Sequence, residues 1–272
     1  PELSKQQQSE AHYRWILAAI EVGVWEDAYR IAKGFGRRFP DSPLVPDALY
    51  LLGSSYQEAR EYSDSIQVFS AFLEDHSEHR LSPRVLLMRG FSHNYMNNSV
   101  EARTDFESFI ARYPRHQLSN EARLWRALSF FTEREYGFAL DALETLATAV
   151  KGSHLEPEVA YRIASTYYAM RDYELALSSI NAYLNKYPQH KRIDEARVLL
   201  GDIEMGRGEL ATARAIFTEI SPNAGHLFVY SAFQAGKILR AVAGAAENAV
   251  ARDRILSSHI EHFQNYLNRE DV

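Results

Sequence analysis

A repeat with a fixed step of about 37 residues runs through this chain, and it restricts the possible folds more than any other feature. Stepping forward from Ala28 reaches Ser65, Ala102, Ala139, Ala176 and Ala213, all small, with no gap inserted. From Ile16 the same step reaches Gly53, Gly90, Ala127, Ala164 and Gly201. Trp25 leads to Tyr62, Ser99, Tyr136, Tyr173 and Leu210, and Ala32 leads to Phe69, Phe106, Leu143, Ile180 and Phe217. Pro40 leads to Ser77, Pro114, Lys151 and Pro188. Chance does not align five independent columns in this way.

Each column has a physical cause. The Gly/Ala column falls in the first helix of each unit and the Ala/Ser column in the second, where small side chains let antiparallel helices approach closely. The aromatic column (Trp25, Tyr62, Tyr136, Tyr173) opens the second helix and covers the seam. The Phe/Leu/Ile column stands four residues beyond the small residue, on the same helix face. A terminal Pro stops the second helix, because the residue before it is disfavoured in helical geometry. Turn signals separate the two helices: Val22-Gly23, Met96-Asn97-Asn98, Arg171-Asp172 and Gly206-Arg207-Gly208. The fourth unit has Lys151-Gly152 where Pro would stand, which predicts a bend or looser stacking there.

Composition narrows function. The chain is 46% hydrophobic and 12% aromatic, enough burial to offset chain entropy. Its net charge is −6 with both signs interspersed and no run of five like charges, so no nucleic-acid partner is expected. No stretch of about eighteen apolar residues offers a membrane span. The absence of Cys excludes disulfides, thiolate zinc sites and a cysteine nucleophile. The opening Pro1-Glu2-Leu3 lacks an initiator Met and an apolar signal core, so the chain reads as an excised or processed fragment; a targeting signal or lipid anchor would lie upstream. The polar lead, residues 1–10, is expected to fray or to extend a preceding helix.

Motifs for chemistry are missing. His259 and His262 lie three apart, as do His76 and His79, but a catalytic zinc needs a third ligand and a positioned acid, and no HExxH pattern occurs. His79, His116 and His190 recur at one repeat position and read as loop chemistry. There is no GxSxG, P-loop or dinucleotide fingerprint, and the Asn97–Ser99 sequon lies in a tight turn. No catalytic residue, metal or cofactor is expected, and the chain reads as a binding protein rather than an enzyme.

Segments such as DALYLLGSSYQEAREYSDSIQVFSAFLEDHSEH and EVAYRIASTYYAMRDYELALSSINAYLNKYPQH resemble tetratricopeptide repeats. They carry that family's small, aromatic, Ala, Phe and terminal Pro positions. The long loop after "RYP" or "KYP" is similar to bacterial envelope proteins of the BamD and CpoB (YbgF) type. The resemblance implies an all-α, right-handed α-α superhelix of six helix pairs, approximately residues 11–46, 47–83, 84–119, 120–157, 158–193 and 194–228. Residues 229–272 are expected to form a divergent helical cap whose polar face would include Arg252, Asp253, Arg254, Glu261, Asn265 and Asn268.

In that family the first helix of each pair lines a concave groove. The resemblance therefore puts Tyr13, Leu17, Tyr50, Ser54, Leu87, Phe91, Tyr95, Leu124, Leu128, Phe131, Tyr161, Ser165 and Tyr168 on the inner side. The groove residues expected to grip a ligand are Tyr50, Leu87, Phe91, Tyr95, Leu124, Leu128, Phe131, Tyr161 and Tyr168. Family members that clamp a C-terminal carboxylate use Asn on this face. Here Leu17, Ser54, Phe91, Leu128, Ser165 and Asp202 stand in its place, which disfavours a clamp. The expected partner is a protein or peptide segment held by large rigid side chains. Two settings are open: a scaffold in a bacterial periplasmic or envelope assembly, and a cytoplasmic adaptor or regulatory domain of a larger protein. Oligomeric state is left undetermined, as is whether the C-terminal helices fill the groove.

Overall fold

The computed structural model describes residues 3–244, 249–250, 253–254 and 257. Helices alternate with short turns: α1 (Lys5–Glu21), α2 (Trp25–Arg38), α3 (Val45–Glu58), α4 (Tyr62–Asp75), α5 (Ser82–Tyr95), α6 (Ser99–Arg112), α7 (Ser119–Thr132), α8 (Tyr136–Ala149), α9 (Glu156–Ala169), α10 (Tyr173–Lys186), α11 (Ile193–Arg207), α12 (Leu210–Thr218) and α13 (His226–Gly244). They form two compact units, Pro1–Ala149 and Val150–Val272. The division falls beside Lys151-Gly152, where the repeat loses its Pro and Gly152 takes φ +78°.

The two helices of a pair meet through a size rule. Each small residue of a first helix faces the large apolar residue sixteen positions on. A methyl group built on Gly53 would lie 2.4 Å from the Phe69 ring, on Gly90 2.6 Å from Phe106, and on Gly201 2.5 Å from Phe217. Where the large residue is branched aliphatic, the small one is Ala, as in Ala127 with Leu143 and Ala164 with Ile180; in the first pair the sizes reverse, Ile16 with Ala32. All of these side chains are buried. The Ser in the small column of α4 keeps the rule at little cost, because Ser65 Oγ donates to the Gly53 carbonyl at 2.9 Å.

The turns repeat as strictly as the core. Gly23, Arg60, Asn97, Arg134, Arg171 and Gly208 occupy one repeat position, and all have φ between +60° and +85°. That left-handed residue reverses the chain between paired helices. Between pairs, a side-chain acceptor recurs. Ser42 Oγ, His79 Nδ1 and His116 Nδ1 in the first unit accept from the backbone N–H two residues on, at 3.2–3.4 Å. Ser153 Oγ and His190 Nδ1 do the same in the second, at 3.3 Å. The recurring histidines are thus turn residues, each ring set edge-on against Phe72, Phe109 or Tyr183. Pro46, Pro83 and Pro157 sit in the first turns of α3, α5 and α9, where no intrahelical N–H is lost.

The polar lead is mostly helix. Ser4 and Gln7 form a reciprocal capping box, so α1 starts at Lys5 and the Gln-rich stretch is its first turn. At the other end α13 supplies the described part of the expected cap, with Asp253 and Arg254 exposed beyond it. Arg252, Glu261, Asn265, Asn268 and the His259–His262 pair lie outside the described residues.

Candidate interaction surface

On each first helix, two recurring columns are half-buried. In the first unit they are Leu17, Ser54, Phe91 and Leu128, and then Ile20, Gln57, Asn94 and Phe131. In the second they are Ser165 and Asp202, with Tyr168 and Met205. Half-burial is what an interaction face requires: the side chain is held in one rotamer by its base and shows one flank to a ligand.

Seven expected groove residues fall in the first unit. Phe91 leans on Trp125 and Phe106 with ring centroids 5.0 and 5.7 Å away, and these rings fix its orientation. Tyr95, 53% exposed, stacks on Tyr62 at 4.8 Å and 16°. Phe131 is edge-on to Tyr136 at 5.3 Å, and Leu128 is half-buried beside it. Tyr50 is half-buried and packs on the Phe69–Phe72–Val85 cluster. Leu87 and Leu124 are different. They are 3% and 5% exposed, so they are core residues that support the face and do not present a side chain to a ligand. The physical reason is reach: Tyr50 stands one repeat step before Leu87 in the same column, and a phenol extends to solvent where an isobutyl group does not. Trp125 was not among the residues expected on this face. Its column otherwise holds Arg14, Leu51, Met88, Arg162 and Leu199, and the lone indole was the available signal.

The same unit has a cavity of about 770 Å³ at its first pair, lined by Tyr13, Leu17, Phe39 and Leu44 with Lys5, Arg14 and Arg38 at its edge. Burial, followed by the charge of Asp47, raises the Tyr13 hydroxyl above its ordinary pKa, so it stays a neutral donor.

In the second unit Tyr161 lies near two guanidinium groups, Arg162 at 5.8 Å and Arg192 at 5.5 Å from its centroid, and edge-on to Tyr183. Those cations are held by Glu158, which accepts from Arg162 Nε at 2.7 Å and from Arg192 Nε at 2.6 Å. Burial pushes the Glu158 carboxyl up, but the two guanidinium groups outweigh it and hold the group below the usual carboxylate range. Tyr168 is half-buried near Tyr173. Beyond it, Tyr230 of α13 donates to Asp202 of α11 at 2.8 Å. Burial raises the Asp202 carboxyl, and burial together with that hydrogen bond raises the Tyr230 hydroxyl. No group of three or more metal-ligating side chains occurs among the described residues.

This arrangement of antiparallel pairs, size-matched seams and an aromatic first-helix face defines a helical repeat protein of the tetratricopeptide class. Comparison with known proteins agrees. A tetratricopeptide-repeat family model matches residues 47–79 and 84–116, and the outer membrane lipoprotein (YfiO) model matches residues 126–219. A tetratricopeptide repeat protein from Parabacteroides merdae superposes with a TM-score of 0.64 at 16% identity, over 93% of this chain and 99% of that one. The C-terminal part of a TPR repeat-containing protein from Cytophaga hutchinsonii gives 0.66 at 12% identity, over 92% and 94%. PilW, a type IV pilus biogenesis factor, gives 0.61 at 14% identity, over 82% and 98%. No curated protein matches the chain in sequence. The chain has the tetratricopeptide-repeat fold, two of its repeats match that family's model directly, and it resembles envelope proteins of the BamD type.

Proposed function

We propose that this protein is a non-enzymatic scaffold that binds a segment of another protein along its first-helix face, within a bacterial envelope assembly. The observation that carries the reading is the row Phe91–Tyr95–Leu128–Phe131 in the first unit. Its aromatic side chains are fixed from below by Trp125, Phe106, Tyr62 and Tyr136, and are open on one flank. Rigid aromatic side chains bind at low entropic cost, which suits an extended or helical segment. Tyr161 and Tyr168 extend the same type of surface on α9 in the second unit. The match of residues 126–219 to an outer membrane lipoprotein family supports the envelope setting. No helix among the described residues is long and apolar enough to cross a membrane.

The test is site-specific photocrosslinking in the native host. A benzophenone side chain in place of Tyr95 is expected to trap one discrete protein, and the same group in place of Glu107, exposed on α6, to trap none. Equal yields from both positions, or no product from Tyr95, would contradict the reading.

A further inference from the structure

The last residues of three first helices form one column at the repeat step: Glu21 of α1, Glu58 of α3 and Tyr95 of α5. All three are exposed, and each stands four residues beyond a half-buried face residue, Leu17, Ser54 or Phe91. The column therefore sets two carboxylates beside the aromatic row of the first unit. Those carboxylates break a local rule. A helix C-terminus carries partial negative charge and favours a cation, yet α1 and α3 have no basic residue in their last turns. Earlier acids on the same helices are neutralised within the chain, Glu10 by Arg14 at 2.7 Å and Asp47 by Arg80 at 2.5 Å. Among the described residues Glu21 and Glu58 have no ion pair or side-chain hydrogen bond. Acids from neighbouring elements add to this field: burial first, then Asp64, Tyr29, Glu26 and Glu61, push the Tyr56 hydroxyl of α3 up to about 12. A local rule broken without compensation inside the chain points to function.

We propose that the protein segment held by the aromatic row is basic at one end. Two Arg or Lys side chains meet Glu21 and Glu58, and an apolar side chain lies on Tyr95 and Phe91; the proposal rests on the binding role of that row. The spacing follows from the fold. α1 packs on α3 and α3 on α5, and packed helices lie about 8–10 Å apart. In a polyproline II segment three residues advance about 9 Å and return the side chain to the same face. The matching pattern is a cation at i and i+3 and a large apolar residue at i+6. Exposed ion pairs are individually weak, so the cations select the segment and fix its direction while the aromatic row supplies most of the grip.

The probe is a fluorescein-labelled peptide, Pro-Arg-Pro-Pro-Arg-Pro-Pro-Phe-Pro, titrated into the full chain beside a twin with Glu at both Arg positions. The Arg peptide is expected to bind saturably, and the Glu twin about tenfold or more weaker. Glu21→Lys combined with Glu58→Lys should reverse that preference. The same double variant should keep or raise the melting temperature, because lysine suits a helix C-terminus, so a folding defect cannot mimic the effect. Tyr95→Ala should weaken the Arg peptide by about tenfold or more. Binding that Tyr95→Ala weakens but both charge changes leave alone overturns the proposal and leaves the aromatic row standing. Binding indifferent to Tyr95→Ala overturns it by moving the site off the row. Absence of saturable binding overturns it as well, while the Tyr95 photocrosslink decides the role of the row independently.

Discussion

The smallest unit that explains this fold is a pair of residues sixteen apart, one small and one large. With its Cβ position 2.6 Å from the Phe106 ring, Gly90 has no room for a methyl group. Gly90→Ala should therefore destabilise the protein by about 1–2 kcal/mol, the cost of overpacking less the gain in helix propensity. Adding Phe106→Leu recreates the Ala127–Leu143 pair, so the double variant should be more stable than the sum of the single effects by about 1 kcal/mol in a denaturant-unfolding cycle. Strict additivity would show that the ring and the glycine are not coupled. A second residue-scale prediction concerns the turns. Arg134 holds φ +61° with a β-carbon, so Arg134→Gly should raise stability by up to about 1 kcal/mol, measured as a higher urea midpoint at constant slope. Both columns were legible in the sequence as recurring small and large residues. Their pairing across the seam was not, because a period locates equivalent residues and does not say which of them touch.

At the scale of elements, ion pairs and polar contacts hold the second unit's helices in register. Glu158 of α9 joins Arg162 of its own helix to Arg192 at the start of α11. Its folded pKa is depressed, so its contribution is complete above the ordinary carboxylate range and is lost as pH falls through the folded value. Glu158→Gln should cost roughly 2 kcal/mol at pH 7 and little at the acid end of the titration, which flattens the acid limb of a melting-temperature profile. Asp202 has the opposite sign. Its folded pKa is raised by burial, so ionisation penalises the folded state at neutral pH, and the penalty shrinks as pH falls through the folded value and is gone below the ordinary carboxylate range. Asp202→Asn keeps an acceptor for Tyr230 and should raise the melting temperature more at pH 7 than at pH 4. Neither network could be read from the sequence, because each joins residues from different helices. The start of α1 was more accessible: Ser4 followed by Gln7 is a capping-box signal, hidden there by the polarity of the surrounding lead.

For the molecule as a whole, the repeat explains why fold and function differ in how far the sequence reveals them. Core columns recur, since every pair must solve the same packing problem. Surface columns do not recur, and in them lies specificity. The half-buried column that begins at Leu17 runs Leu17, Ser54, Phe91 and Leu128 in the first unit, then Ser165 and Asp202 in the second, with no shared chemistry to identify a ligand. The burial of Leu87 and Leu124 shows the same limit: helical position set their direction, but side-chain length decided whether they reached the surface. Tyr95 is the cleanest test of the scaffold account, since it is exposed and its neighbour Phe91 is not separable from the ring cluster beneath it. The decisive measurement is the affinity of the photocrosslinked partner, purified, for Tyr95→Ala beside the unsubstituted protein, with melting temperatures recorded for both. The account predicts binding weakened by about tenfold or more with a melting temperature changed by no more than about 2 °C. Unchanged affinity, or a loss of binding that tracks a large loss of stability, would contradict it.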